Sequence, residues 1–131
     1  MKNEAAEVFK TYTEALAKGD FDAVFGTLAD NIVWHMGGES PLSGDVAGKQ
    51  ALGRRLAEFS ERSNGTFRVV TNWFASNGCF VAASVVSLAE KGAEKLNNPG
   101  IDLFRIENGK IQEVWTFSER QAEEDKFWSK P

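Results

Sequence analysis

The stretch Gly100-Ile101-Asp102-Leu103-Phe104-Arg105-Ile106-Glu107-Asn108-Gly109-Lys110-Ile111-Gln112-Glu113-Val114-Trp115-Thr116-Phe117 decides the fold. Two runs rich in branched and aromatic residues flank Asn108-Gly109, a dipeptide that tolerates positive φ and favours a tight hairpin. Upstream, Thr66 to Ser76 and Cys79 to Ala89 repeat this pattern around Asn77-Gly78. Glu90-Lys91-Gly92 then supplies a turn into a strand from Leu96 to Ile106. Asn97-Asn98-Pro99-Gly100 is expected to break that strand with a bulge or bend, because proline cannot donate within a central ladder. Hairpins in series make an antiparallel meander.

Working outward, the N-terminal third reads as helices. Ala5, Val8, Phe9, Tyr12, Ala15 and Leu16 repeat at three-and-four spacing, with Glu7, Lys10, Glu14 and Lys18 on the other face. Gly19 ends this helix, and Asp20 caps a shorter one with the stripe Phe21, Val24, Phe25 and Leu28. Asn31 to Met36 reads as a strand, Gly37 to Gly48 as a loop, and Lys49 to Arg62 as a third helix closed by Asn64-Gly65. Glu119 to Trp128 is a candidate last helix. The order predicts one α+β domain over 1–131, with helices gathered against one side of a mostly antiparallel sheet.

Composition narrows the class of function. At 131 residues, with 42% hydrophobic and 26% charged, the chain is one soluble globular domain with a real core. Fifteen Lys and Arg against nineteen Asp and Glu leave a net charge of −4 without a basic stripe, which argues against nucleic-acid binding. One Cys, Cys79, and one His, His35, exclude an internal disulfide and the usual all-protein zinc cage. No run approaches a membrane span, and Met1-Lys2-Asn3-Glu4 leads into no apolar signal core, so a cytoplasmic location is expected. Ten Phe, four Trp and one Tyr exceed what a small core needs and point to a lined pocket or a buried interface. Phe67, Val69 and Trp73 alternate with Val70 and Phe74, so both faces of the sheet are apolar. The face away from the helices then needs a cover, and the expectation is a homodimer through the sheet.

Three polar residues stand among apolar neighbours. By alternation Asp102 shares a face with Phe104 and Ile106. Turned inward it would have a raised pKa and serve as a general base or as a protonated donor; turned outward it would pair with a surface cation. Tyr12 lies on the core stripe of the first helix, where its phenol either donates to a ligand oxygen or completes the core. His35 alternates with Trp34 and Met36, so only one set can look inward. Trp34, Met36, Phe59, Trp73, Phe104 and Trp115 are the candidate pocket walls. Arg54-Arg55 and Glu123-Glu124-Asp125 read as solvated faces, and Gly37-Gly38 lacks the pattern of a phosphate loop.

The helix-Gly-Asp-helix opening, Ala29-Asp30-Asn31-Ile32-Val33-Trp34, Leu42-Ser43-Gly44 before Gly48-Lys49, and Phe104-Arg105-Ile106-Glu107-Asn108-Gly109-Lys110-Ile111 occur in a familiar order. Over about Ala5 to Phe117 the chain resembles the NTF2-like superfamily, closest to its SnoaL-like polyketide cyclase and ketosteroid isomerase-like branch. The resemblance implies a cone-shaped fold, a curved sheet packed against three to four helices around an apolar pocket, and commonly a homodimer. It implies no cofactor and no metal. In steroid isomerases of this group, a Tyr on the first helix and a neutral Asp on a later strand form the oxyanion hole. Tyr12 and Asp102 match those positions, while the base position falls on Met36, with His35 one residue away. SnoaL-like cyclases use a pocket Asp as acid and base, which Asp102 matches. Related epoxide hydrolases carry an Arg two residues before their strand Asp, where this chain has Gly100. The function implied is a cofactor-independent isomerase or cyclase acting on a small apolar carbonyl compound. Asp102, Tyr12 and His35 would carry the chemistry; the alternative is a non-catalytic binder of a small apolar ligand.

Overall fold

The computed structural model describes residues 3–129; the ends of the predicted domain, 1–2 and 130–131, lie outside the described residues. The elements run α1 (Glu4–Lys18), α2 (Phe21–Gly26), β1 (Leu28–Met36), β2 (Gly44–Ala47) and α3 (Lys49–Arg62). They continue with β3 (Arg68–Asn77), β4 (Phe80–Lys91), β5 (Glu94–Glu107), β6 (Lys110–Ser118) and α4 (Gln121–Ser129). The chain folds as the α+β domain expected. Six strands form one curved sheet in the order β2-β1-β6-β5-β4-β3, antiparallel except where β1 runs parallel to β6.

The helix boundaries follow their caps. Asn3 accepts from the Ala6 amide at 3.2 Å, and Gly19 takes the left-handed conformation (φ 69°) that ends α1. Asp20 accepts from the Ala23 amide at 3.1 Å and starts α2. Register shifts at Leu28/Val33, Thr71/Trp73 and Arg105/Ile106 bend the strands, and the helices fill the concave side. Phe9 of α1 is 1% exposed and its ring centroid lies 4.9 Å from those of both Phe74 and Phe104.

Three local expectations are corrected. Gly37 to Gly48 is not wholly a loop, because Gly44–Ala47 pairs with β1 as an edge strand. β5 is not interrupted at Asn97-Asn98-Pro99-Gly100, since each of these residues pairs across to β4. The Pro99 carbonyl accepts from the Glu119 amide at 2.8 Å, beyond the end of β6. Amide and carbonyl of one strand residue point the same way, so the missing N–H falls where no strand needs it. Arg55 is not part of a solvated face; its Nη1 donates to the Leu42 and Ser43 carbonyls at 2.7 and 3.3 Å and pins the β1–β2 connection.

The buried residues form two clusters. The larger, around Phe9, Leu28, Ile32 and Val114, holds α1 and α2 to the sheet. The smaller gathers Leu42, Phe59, Leu96, Phe127 and Trp128 and anchors α4, whose Trp128 carbonyl accepts from Arg62 at 2.9 Å. Met36 and Leu56 pack against both clusters, and a cavity opens between them.

Candidate functional site

The cavity encloses about 350 Å³. Leu16, Val24 and Phe25 from the first two helices, Trp34 and Met36 from β1, and Leu52, Leu56 and Phe59 from α3 give it apolar walls. Its polar end is built by three successive inward positions of β5, Asn98, Gly100 and Asp102, and by Thr116, Ser118, Gln121, Glu124 and Asp125. Tyr12 closes the wall formed by α1.

Asp102 faces into the cavity, as alternation with Phe104 and Ile106 requires. Burial pushes its carboxyl from 3.8 up to about 7, and the facing Glu124 adds to the rise. Tyr12 is buried, and burial, then the nearby Asp102, raise its phenol above the ordinary value. A phenol raised this way stays protonated and remains a donor at neutral pH. Among the described residues neither the Tyr12 hydroxyl nor the Asp102 carboxyl has a side-chain hydrogen-bond partner, so both are free to meet a ligand. One donor that holds its proton and one acid poised near neutrality can move a proton on a carbonyl compound and stabilise the charge that appears on its oxygen.

The other candidates divide by strand face. Trp34, Met36 and Phe59 line the cavity as expected. Phe104 does not: it is 1% exposed and sits behind the site, its ring 5.4 Å from Tyr12 and 6.2 Å from Trp34. Trp73 and Trp115 lie on the opposite, convex face. The Thr71/Trp73 bulge re-aims β3 so that Phe74 turns inward and Trp73 is 60% exposed.

His35 is also on the convex face, and a role inside the cavity is corrected. Its ring stacks on Trp115, centroids 5.4 Å apart, as the register between β1 and β6 places it. Nδ1 lies 2.7 Å from Asp45 and Nε2 2.5 Å from Glu113. Those hydrogen bonds, Glu113 before Asp45, raise the imidazole pKa. The parity of β1 that brings Trp34 and Met36 inward sends His35 out.

The sequence reading missed the polar end of the cavity. Glu124 and Asp125 are not a solvated face, for both line the cavity. Asn98, 3% exposed, donates to Glu124 Oε2 at 2.8 Å, and the Ser118 hydroxyl donates to the same oxygen. The legible signal was the spacing Gln121, Glu124, Asp125, Trp128, one helical stripe ending on a large aromatic residue. Gln121 and Asp125 also reach back to the β1–β2 connection, where Asp125 accepts from the Glu39 amide at 3.0 Å. Gly37-Gly38 finds its reason here: a Cβ on Gly38 would fall on Asp125 Oδ1 and Gln121 Nε2. At Gly100 a Cβ would strike the Phe117 carbonyl oxygen, so β5 approaches β6 too closely for any side chain at that position.

Among the described residues no group of three or more His, Cys, Asp and Glu side chains is arranged to hold a metal ion, and no helix is long and apolar enough to cross a membrane.

Residues 9–114 match the family model of the SnoaL-like domain. A protein of unknown function with a cystatin-like fold from Xanthomonas campestris is 32% identical, with a TM-score of 0.89 over 96% of this chain and 98% of its own. Bal32a, from a soil-derived mobile gene cassette, is 23% identical with a TM-score of 0.89 over 95% of this chain and 96% of its own. IdmH from Streptomyces antibioticus, a candidate polyketide cyclase, is 16% identical with a TM-score of 0.70 over 88% of this chain and 92% of its own. The last two speak for the fold alone. No curated protein matches the chain.

Proposed function

The chain belongs to the SnoaL-like domain family within the NTF2-like superfamily, and on that footing we propose that it is a cofactor-independent isomerase or cyclase acting on a small apolar carbonyl compound. The observation that carries this reading is one acid held near pH 7 beside one protonated phenol in an apolar cavity. In the proposed reaction Asp102 takes a proton from the carbon next to the carbonyl. Tyr12 donates to the oxygen as negative charge builds there. In an isomerisation Asp102 returns the proton to a different carbon. In a cyclisation the enolate carbon bonds to a second carbonyl carbon of the same molecule, and Asp102 gives its proton to the alkoxide oxygen that this forms. Stabilising that oxygen in a dry site supplies most of the rate, and loss of one donor or of the acid costs on the order of 100-fold.

Proton abstraction can be tested without the natural substrate. In D2O the wild type should speed exchange of the α hydrogens of 2-tetralone, followed by proton NMR, and Asp102→Asn should slow it by about 100-fold. Equal exchange by the two proteins would remove Asp102 from the mechanism. A second reading, a binder without catalysis, draws support from Met36, which cannot accept a proton and occupies the wall of β1 where a second acid would act. It predicts ligand-induced shifts of the Trp34 indole signal with no exchange above buffer.

A second copy of the chain is the proposed partner. Trp73, Phe117 and Ile101 are 60%, 57% and 40% exposed on the convex face. Ile101 pairs with Phe117 on one side and, across Ser84, with Trp73 on the other, so the three form one band. Sedimentation at micromolar concentration should give a dimer that Trp73→Arg dissociates; a wild-type monomer would rule the partner out.

A further inference from the structure

Among the described residues, one buried side-chain polar atom is left without a hydrogen-bond partner: the indole Nε1 of Trp128. Trp128 lines the cavity and is 1% exposed. The rings of Phe59, Phe67 and Phe127 stand nearly perpendicular to it, with centroids 4.8, 5.4 and 4.9 Å away, and offer packing but no oxygen. A buried donor left unmet is costly, and an acceptor brought by a ligand recovers that cost. A second free group is the Ser87 hydroxyl. The inward positions of β4 read Val81, Ala83, Val85, Ser87 and Ala89, one hydroxyl in an apolar row. Ser87 lines the cavity, half-buried, with no hydrogen-bond partner among the described residues. Its cross-strand neighbour Asn98 is committed at both atoms, Nδ2 donating to Glu124 and Oδ1 accepting from the Arg120 amide at 3.1 Å. One inward step further along β4 and β5, Ala89 and Leu96 pack in the cluster that holds Trp128. The hydroxyl and the indole therefore share one end of the cavity, where Arg68 also lines the wall.

The proposed reacting groups lie well away from this end. Asp102 pairs with Ala83, and Ser87 follows four residues further along β4, about 13 Å of strand. Between them the wall is formed by Val85 and by its cross-strand neighbour Gly100, which carries no side chain. Polar groups at two ends of an apolar slot fit an elongated molecule with an oxygen at each end. Resting on the proposed function above, we infer that Trp128 and Ser87 are ligand-contact residues that hold a second oxygen acceptor of the substrate while its reacting carbonyl meets Tyr12 and Asp102. The substrate class thereby narrows to elongated apolar compounds carrying two oxygen functions.

Two matched probes test this on the wild type: bicyclohexyl-4,4′-dione and 4-cyclohexylcyclohexanone, which differ only in the second carbonyl. In proton–nitrogen NMR spectra the Trp128 indole proton should move downfield with the dione, as its N–H gains an acceptor, and hold its place with the monoketone. Trp128→Phe assigns that signal; should this variant not fold, Trp34→Phe, Trp73→Phe and Trp115→Phe assign it by elimination. Calorimetry should give the dione about tenfold the affinity of the monoketone, within the range of one recovered hydrogen bond. Ser87→Ala should cut that preference below about threefold. A Trp128 signal that ignores the dione, or moves equally with both ketones, overturns the inference and leaves the proton-exchange result standing. A tenfold preference that survives Ser87→Ala overturns it as well. Failure of both ketones to bind the wild type overturns the inference and the cavity reading together.

Discussion

Replacing Asp102 with Asn should change how stability depends on pH, by an amount that follows from where the carboxyl sits. Burial first, and the facing Glu124 second, raise its pKa from 3.8 to about 7 in the folded protein. Unfolding returns it to the ordinary value. Between those two values the folded state holds a proton that the unfolded state has released, so stability falls as pH rises and the loss is complete above the folded value. About three pKa units at roughly 1.36 kcal/mol each set a ceiling near 4 kcal/mol. Water reaching the half-buried side chain through the cavity mouth screens part of this, leaving about 2–3 kcal/mol. Asn keeps the shape and cannot ionise. Urea unfolding at fixed ionic strength and protein concentration should therefore show the variant gaining on wild type by about 1.5–2.5 kcal/mol between pH 5 and pH 8, then levelling off. Every other titrating group is common to both proteins and cancels in the difference, apart from Glu124 and Tyr12, which feel the Asp102 charge. Curves that stay parallel within about 0.5 kcal/mol, the spread of an ordinary surface substitution, would mean that the carboxyl is not held out of water. The proton chemistry proposed for it would then lose its basis.

Two further perturbations probe other parts of the design. The His35 imidazole is raised by its hydrogen bonds to Glu113 and Asp45, so its stabilisation is full below the ordinary value and fades as pH passes the folded one. His35→Gln should accordingly lower the melting temperature more at pH 5.5 than at pH 9, and the wild-type ring should titrate by NMR with a midpoint above 6.5; a midpoint at or below that value contradicts the pairing. Gly38→Ala must place a Cβ against Asp125 and Gln121 at a φ of 96°. It should cost about 1–3 kcal/mol and speed amide exchange through Gln121–Ser129. Gly26→Ala, in α2 with nothing within 4 Å of the new Cβ, should instead stabilise by about 0.5–1 kcal/mol. Equal effects of the two glycine changes would deny the contact between α4 and the β1–β2 connection its role.

Much of the fold was legible because its signals are local. Asn77-Gly78 and Asn108-Gly109 fixed two hairpins, and Gly19-Asp20 fixed the corner between α1 and α2. Asp102 and Tyr12 were legible for a similar reason, since one lies in phase with Phe104 and Ile106 and the other with Phe9 and Ala15. What misled the reading was parity carried past a bulge. Trp73 and Phe74 are neighbours, and only the register shift between Thr71 and Trp73 decides which of them looks inward. No residue pattern in β3 announces that shift. The β1–β6 pairing was equally out of reach, because it joins residues some 80 positions apart in sequence and alone explains why His35 meets Trp115 and not the cavity.

The acidic run of α4 shows where local pattern stops being informative and what replaces it. Read one residue at a time, Glu123-Glu124-Asp125 is a charged surface, and Glu123 is indeed exposed. Read at helical spacing, Glu124 and Asp125 share a stripe with Gln121 and with Trp128, which is 1% exposed. A stripe anchored by a buried Trp must face the body of the protein, so its carboxylates face inward as well. Carboxylates there are tolerable only with partners; Ser118 supplies one from the end of β6, and Asn98 another from a strand whose proline and glycine had made it look broken. The two errors were therefore linked: once β5 is continuous, Asn98 points at α4, and the charged run becomes part of the wall that raises Asp102.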